Sequence, residues 1–104
     1  MVRALTATAG KLTRNSLSRC RAEGIPAALV MMPEASWYRA FYGAANEEKL
    51  RAYAAELGRD FGVPVIDARD WCDDADFRDG GHLIRNGVRV FSERFGREIT
   101  GVFP

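Results

Sequence analysis

The sequence predicts an α/β fold in which short parallel strands alternate with helices, and three observations predict it. A helical stripe followed by Gly24-Ile25-Pro26 and an apolar run recurs further on as a second helical stripe followed by Gly62-Val63-Pro64 and another apolar run. The first run, Ala27-Ala28-Leu29-Val30-Met31-Met32, is unbroken between Pro26 and Pro33, as in a strand covered on both faces of a parallel sheet. Between the two runs lie a loop and one helix, the length of connection that a right-handed βαβ unit needs.

The first helix is expected from Val2 to about Glu23, with Val2, Leu5, Ala9, Leu12, Leu17 and Cys20 on its apolar side and Lys11 among arginines on the other. Gly24 supplies a left-handed stop and Pro26 forbids continuation. After the strand, Glu34 to Gly43 is a loop or short helix rich in aromatics, Trp37, Tyr38, Phe41 and Tyr42. Residues just past the carboxyl end of a parallel strand line the crevice where α/β proteins bind ligands. Glu34, Ser36 and Arg39 are therefore candidate substrate-binding residues.

Asn46 is the expected N-cap of the second helix, with Glu47 and Glu48 in its first turn. Leu50, Tyr53, Ala54, Leu57 and Phe61 form its buried stripe, and Val65-Ile66-Asp67-Ala68 is the second strand. An acidic loop around Trp71 then carries Asp70, Asp73, Asp74 and Asp76. A third helical stripe, Ile84, Val88, Phe91 and Phe95, runs to about Arg97, and Gly87 inside it signals a close backbone approach. The tail from Ile99 to Pro104 is expected to pack as a terminal strand or strap.

Between the acidic loop and the third helix lies Asp79-Gly80-Gly81-His82-Leu83, which holds the only histidine. In a turn leading into a helix, positions i and i+3 share a side, so the Asp79 carboxylate can hold one ring nitrogen of His82 while the other faces a substrate. That is the base-and-orienter half of a serine-hydrolase triad. The bland alternative is a histidine that caps or packs at a helix start. A metal held by Asp73, Asp74, Asp76 and Asp79 with His82 is a minor alternative, since the spacing fails the EF-hand pattern and Cys72 with His82 gives only two zinc ligands.

Composition narrows the partners. At 104 residues the chain is one domain or part of one, and a net charge of +1 with scattered arginines does not recommend nucleic acid. No apolar run approaches the roughly 20 residues that cross a bilayer, and the first residues lack the apolar centre of a signal peptide. The expectation is a soluble chain whose sequence fixes no compartment. Cys20 and Cys72 read as free thiols, with a disulfide between them the minor alternative.

The block Asp79-Gly80-Gly81-His82-Leu83, with Gly87 five residues after the histidine and Phe91 and Phe95 following, resembles the C-terminal Asp-x-x-His block of the SGNH (GDSL-like) hydrolases. The resemblance implies a three-layer αβα sandwich with parallel strands, flavodoxin-like in type, of which residues 1–104 would form only the C-terminal half, a single partial domain. It implies ester hydrolysis or acyl transfer on a small ester or acylated carbohydrate, O-acetyl groups among them, with no metal or organic cofactor. His82 would be the general base and Asp79 its orienting partner. The family's Gly-Asp-Ser nucleophile block has no counterpart among Ser16, Ser18, Ser36 and Ser92, and of these only Ser36 falls at a strand's ligand end. A half-sheet would leave open edges and is expected to self-associate or to need a partner. The alternative is a non-catalytic α/β interaction or glycan-binding module that uses the aromatic loop.

Overall fold

The computed structural model describes residues 2–103, and side chains over residues 11–103. The side chains of the stripe positions Val2, Leu5 and Ala9, and the whole of Pro104, therefore lie outside what is described. Helix α1 spans Val2–Ala22 and strand β1 Leu29–Met31. Helix α2 spans Ser36–Ala40, α3 Gly43–Phe61, and strand β2 Val65–Asp67. A 3-10 turn at Asp74–Asp76 leads into a hairpin of β3, Phe77–Asp79, and β4, His82–Leu83, and α4 spans Arg85–Val102.

The helices end where the glycines demand it. Gly24 and Gly62 adopt φ of +68° and +62°, the left-handed conformation that a side chain resists. Gly43, at φ +73°, turns the chain from α2 into α3. Helix α3 thus begins three residues before the expected cap, and Asn46 sits inside it, donating from Nδ2 to the Tyr42 carbonyl at 2.8 Å. Among the described residues the tail forms no strand, because α4 continues through Ile99 to Val102.

The parallel βαβ connection is present. β1 pairs with β2 in the register Leu29 with Val65, Val30 with Ile66 and Met31 with Asp67. Beyond the strands the two chains stay joined, with the Ala68 amide donating to Met31 O at 2.9 Å and the Glu34 amide to Arg69 O at 3.0 Å.

The three-layer parallel sandwich is not what forms. The structure is 61% helical and, among the described residues, has only two small sheets of two strands each. A sandwich needs a sheet wide enough to bury helices on both faces. Here each parallel strand is three residues long, β1 is only half-buried, and along β2 Ile66 alone is buried. The helices instead cover one another and the hairpin. α1 lies on α3, and α4 packs on β4 and the 3-10 turn.

The core is correspondingly small. Leu17 of α1, Ala54 and Leu57 of α3, Ile66 of β2 and Ala35, Ala68 and Cys72 of the loops are buried. Burying Leu57 contributes about 1.5–3 kcal/mol. At the α1–α3 seam Arg14 reaches Glu56 and Asp60 at 3.1 Å each, and its guanidinium lies over the Tyr53 and Phe61 rings. On the other side Trp71 packs on Phe91, Phe91 stacks on Phe95, and Arg94 sits 4.3 Å from the Trp71 centroid. These contacts fasten α4 to the loop that feeds the hairpin. Among the described residues, no helix is long and apolar enough to cross a membrane.

Candidate active site

The Asp-x-x-His turn is a hairpin rather than a helix start. Asp79 closes β3, His82 opens β4, and the two pair across Gly80-Gly81. Cross-strand neighbours have side chains on one face, so the sheet register brings acid and ring together where a helical turn was expected to. His82 Nδ1 lies 2.8 Å from Asp79 Oδ1 and 3.0 Å from Oδ2. With Nδ1 protonated, the ring donates to the carboxylate and leaves Nε2 to face outward.

The Gly81 amide donates to Asp79 Oδ1 at 3.0 Å. That bond, with the His82 ring second, holds the Asp79 carboxyl below the usual carboxylate range. Both members are open to solvent, His82 with 80% and Asp79 with 59% of the side chain exposed. The arrangement orients an imidazole at the surface, and in these residues nothing encloses it.

The hairpin's base is fixed by Asp76. Its buried carboxylate accepts from Asn86 Nδ2 at 2.8 Å and from the Asp73 amide at 3.2 Å, and its carbonyl accepts from the Ile84 amide at 2.9 Å. Gly87 of α4 rests on the same residue, since a Cβ there would fall 2.6 Å from Asp76 O. The close approach expected of Gly87 is therefore real.

The hairpin's tip is held by α2. The Ala35 amide donates to Gly80 O at 3.0 Å, and the Tyr38 ring occupies the space a Cβ at Gly80 would need, with Cδ2 2.2 Å from that position. Neither Gly80 nor Gly81 is at positive φ. Gly80 is thus required for room rather than for backbone conformation.

The remaining predicted site residues serve other bonds. Ser36 Oγ donates to Asp74 Oδ2 at 2.5 Å and its amide to Asp74 Oδ1 at 2.7 Å, so its hydroxyl is engaged by Asp74 and not by His82. This pair holds the Asp74 carboxyl below its ordinary range. Arg39 Nη1 donates to the carbonyls of Glu34 at 3.1 Å and Arg69 at 2.6 Å, binding the two strand ends together. The Glu34 carboxylate accepts from the Tyr42 hydroxyl, and burial with that carboxylate raises the Tyr42 pKa.

Asp74, Tyr38 and Gly80 were missed as site residues, as was Arg69. Arg69 is 3% exposed, pairs with Asp67 through Nε and Nη2 at 3.1 Å each, and reaches Glu47 at 2.9 Å. Arg69 in turn holds the Asp67 carboxyl below its usual range. The only signal in sequence was the Asp-x-Arg spacing past a strand, which is common. The recess these residues line with Arg39, Arg51 and Asp70, of about 180 Å³, carries equal numbers of acids and arginines.

No family model, curated protein or solved structure gives a significant match to this chain.

Proposed function

We propose that Asp79 and His82 are the orienting acid and general base of an SGNH-type ester hydrolase or acyltransferase. The observation that carries the proposal is the imidazole held through Nδ1 by both oxygens of Asp79 on a side chain that is otherwise open to solvent. In that reaction His82 takes the proton of an attacking hydroxyl and returns it to the leaving alkoxide. Asp79 keeps the ring in the Nδ1–H tautomer and stabilises the imidazolium that forms. The substrate class is a small ester or an acylated carbohydrate.

The nucleophile in this reading lies outside these 104 residues. Ser36 is bonded to Asp74, while Ser16, Ser18 and Ser92 are exposed on α1 and α4. The test is hydrolysis of p-nitrophenyl acetate by the native polypeptide that carries this segment. Asp79→Asn is expected to lower kcat by about 10⁴-fold, the loss seen when an orienting aspartate is neutralised, and His82→Ala by at least as much. Unchanged turnover in His82→Ala removes the proposal, and labelling of Ser36 by a fluorophosphonate would overturn the placement of the nucleophile.

A second reading is favoured by the aromatic helix. Phe41 is 80% and Trp37 49% exposed, and the two rings meet edge to face at 6.3 Å. Such a surface suits the apolar face of a sugar or a protein partner, which makes a non-catalytic binding module the alternative. In that case Trp37→Ala abolishes binding to a glycan array, and His82→Ala changes nothing.

A further inference from the structure

The Asp79–His82 pair does not hold itself in place. Its hairpin has only two paired positions with an irregularity between them, and an isolated hairpin is marginally stable at best. Its turn glycines are not in the positive-φ conformations that match a two-residue loop to strand twist. Both side chains are mostly exposed, so no packing fixes their rotamers. The Gly81 amide holds the Asp79 carboxylate locally and Asp76 holds the base, but the tip that carries the pair needs support from outside the hairpin.

That support comes from α2 and the residue that caps it: the Ala35 amide bonds Gly80 and the Tyr38 ring covers it. Yet α2 has five residues, far too few to persist by propensity. Its amino end is tied down by Asp74, which accepts both the amide and the hydroxyl of Ser36. Asp74 also opens the 3-10 turn that runs directly into β3. One carboxylate thus joins the clamp to the base of the hairpin whose tip the clamp presses.

We infer that Asp74 is a positioning residue for the Asp79–His82 pair, acting through Ser36, α2 and the contact of Tyr38 with Gly80. It touches neither member of the pair. The inference rests on the functional reading above only in giving the pair a purpose. Arg39 anchors α2 independently at the Glu34 and Arg69 carbonyls, so loss of Asp74 loosens the clamp without releasing it.

Because the chain has a single histidine, nitrogen-15 NMR reports its tautomers without ambiguity. The measurement is the Nδ1–H to Nε2–H ratio of the neutral ring at about pH 9, above the usual range of histidine titration. In the 104-residue chain Nδ1–H is expected to predominate, with Asp79→Ala, which removes the partner, setting the uncoupled limit. Asp74→Ala is expected to lower the ratio about two- to fivefold, the range that interactions between exposed side chains support, and Ser36→Ala to lower it less.

A merely structural role for Asp74 would lower the melting temperature and leave this ratio, read on the folded resonances, where it was. A wild-type ratio in both folded variants, with Asp79→Ala effective, overturns the positioning role and leaves the catalytic reading intact. If Asp79→Ala itself moves nothing, the pair is not coupled and the catalytic reading fails with it. Should Asp74→Ala lose its dispersed spectrum, Ser36→Ala decides alone.

Discussion

The same substitution at two glycines of α4 should change stability in opposite directions. Gly87 is the third residue of the helix and Gly96 lies in its interior. A Cβ at Gly87 would stand 2.6 Å from Asp76 O, 2.8 Å from Leu83 Cδ2 and 2.9 Å from Asp76 Cβ. The leucine methyl can rotate away, but Asp76 cannot, because its carbonyl receives the Ile84 amide and its carboxylate receives Asn86 and the Asp73 amide. Overpacking of this kind costs about 1–3 kcal/mol, against a helix-propensity gain of at most about 1 kcal/mol. Gly87→Ala is therefore expected to destabilise by about 1–2 kcal/mol.

At Gly96 an added Cβ meets nothing within 4 Å. Only the propensity gain remains there, so Gly96→Ala stabilises by up to about 1 kcal/mol. For a chain this size each kcal/mol moves the melting temperature by about 4–8 °C. Urea and thermal unfolding followed by far-UV circular dichroism give both signs directly. If Gly87→Ala is as stable as Gly96→Ala, α4 does not rest on Asp76 and the account of the hairpin's base is wrong.

Two other outcomes follow from the carboxyls and the thiols. Asp67, Asp74 and Asp79 all titrate below their ordinary range, held by Arg69, by Ser36 and by the Gly81 amide with His82. A folded-state pKa below the unfolded one contributes stability that is complete above about pH 4 and fades as pH falls through the folded value. The urea midpoint should therefore drop on acidification, and less steeply in Asp79→Asn; parallel curves for the two proteins would contradict the Asp79 contacts. Cys72 is buried against α4, with Sγ donating to Gly87 O at 3.7 Å, and burial raises its pKa. Half-buried Cys20 is expected to react with a disulfide reagent first, and the reverse order would show that the loop opens more readily than the packing of Trp71 on Phe91 implies.

Local order was legible where one residue type decides it. The glycines that stop α1 and α3, the apolar stripe of α3, the parallel pairing of the two Gly-x-Pro strands and the tight approach at Gly87 were all readable from position and side-chain size. The proximity of Asp79 and His82 was anticipated with the wrong cause, because three-residue spacing serves a helical turn and a two-residue hairpin alike. The breadth of the sheet was not legible. An apolar run states that a strand can be covered, not that further strands exist to cover it, and here Leu29–Met31 meets only Val65–Asp67 among the described residues.

What the sequence alone determined is the kind of chemistry available: one imidazole, an acid three residues before it, and no serine in a nucleophile block. Tertiary structure decided which groups that chemistry can use. It gave Ser36 to Asp74, turned Arg39 and Glu34 into ties between strand ends, and set Tyr38 over Gly80. The physical reason is range. Caps, turns and stripes depend on neighbours a few residues away, whereas Ser36 and Asp74 are 38 residues apart, and nothing in either residue's local sequence specifies the other.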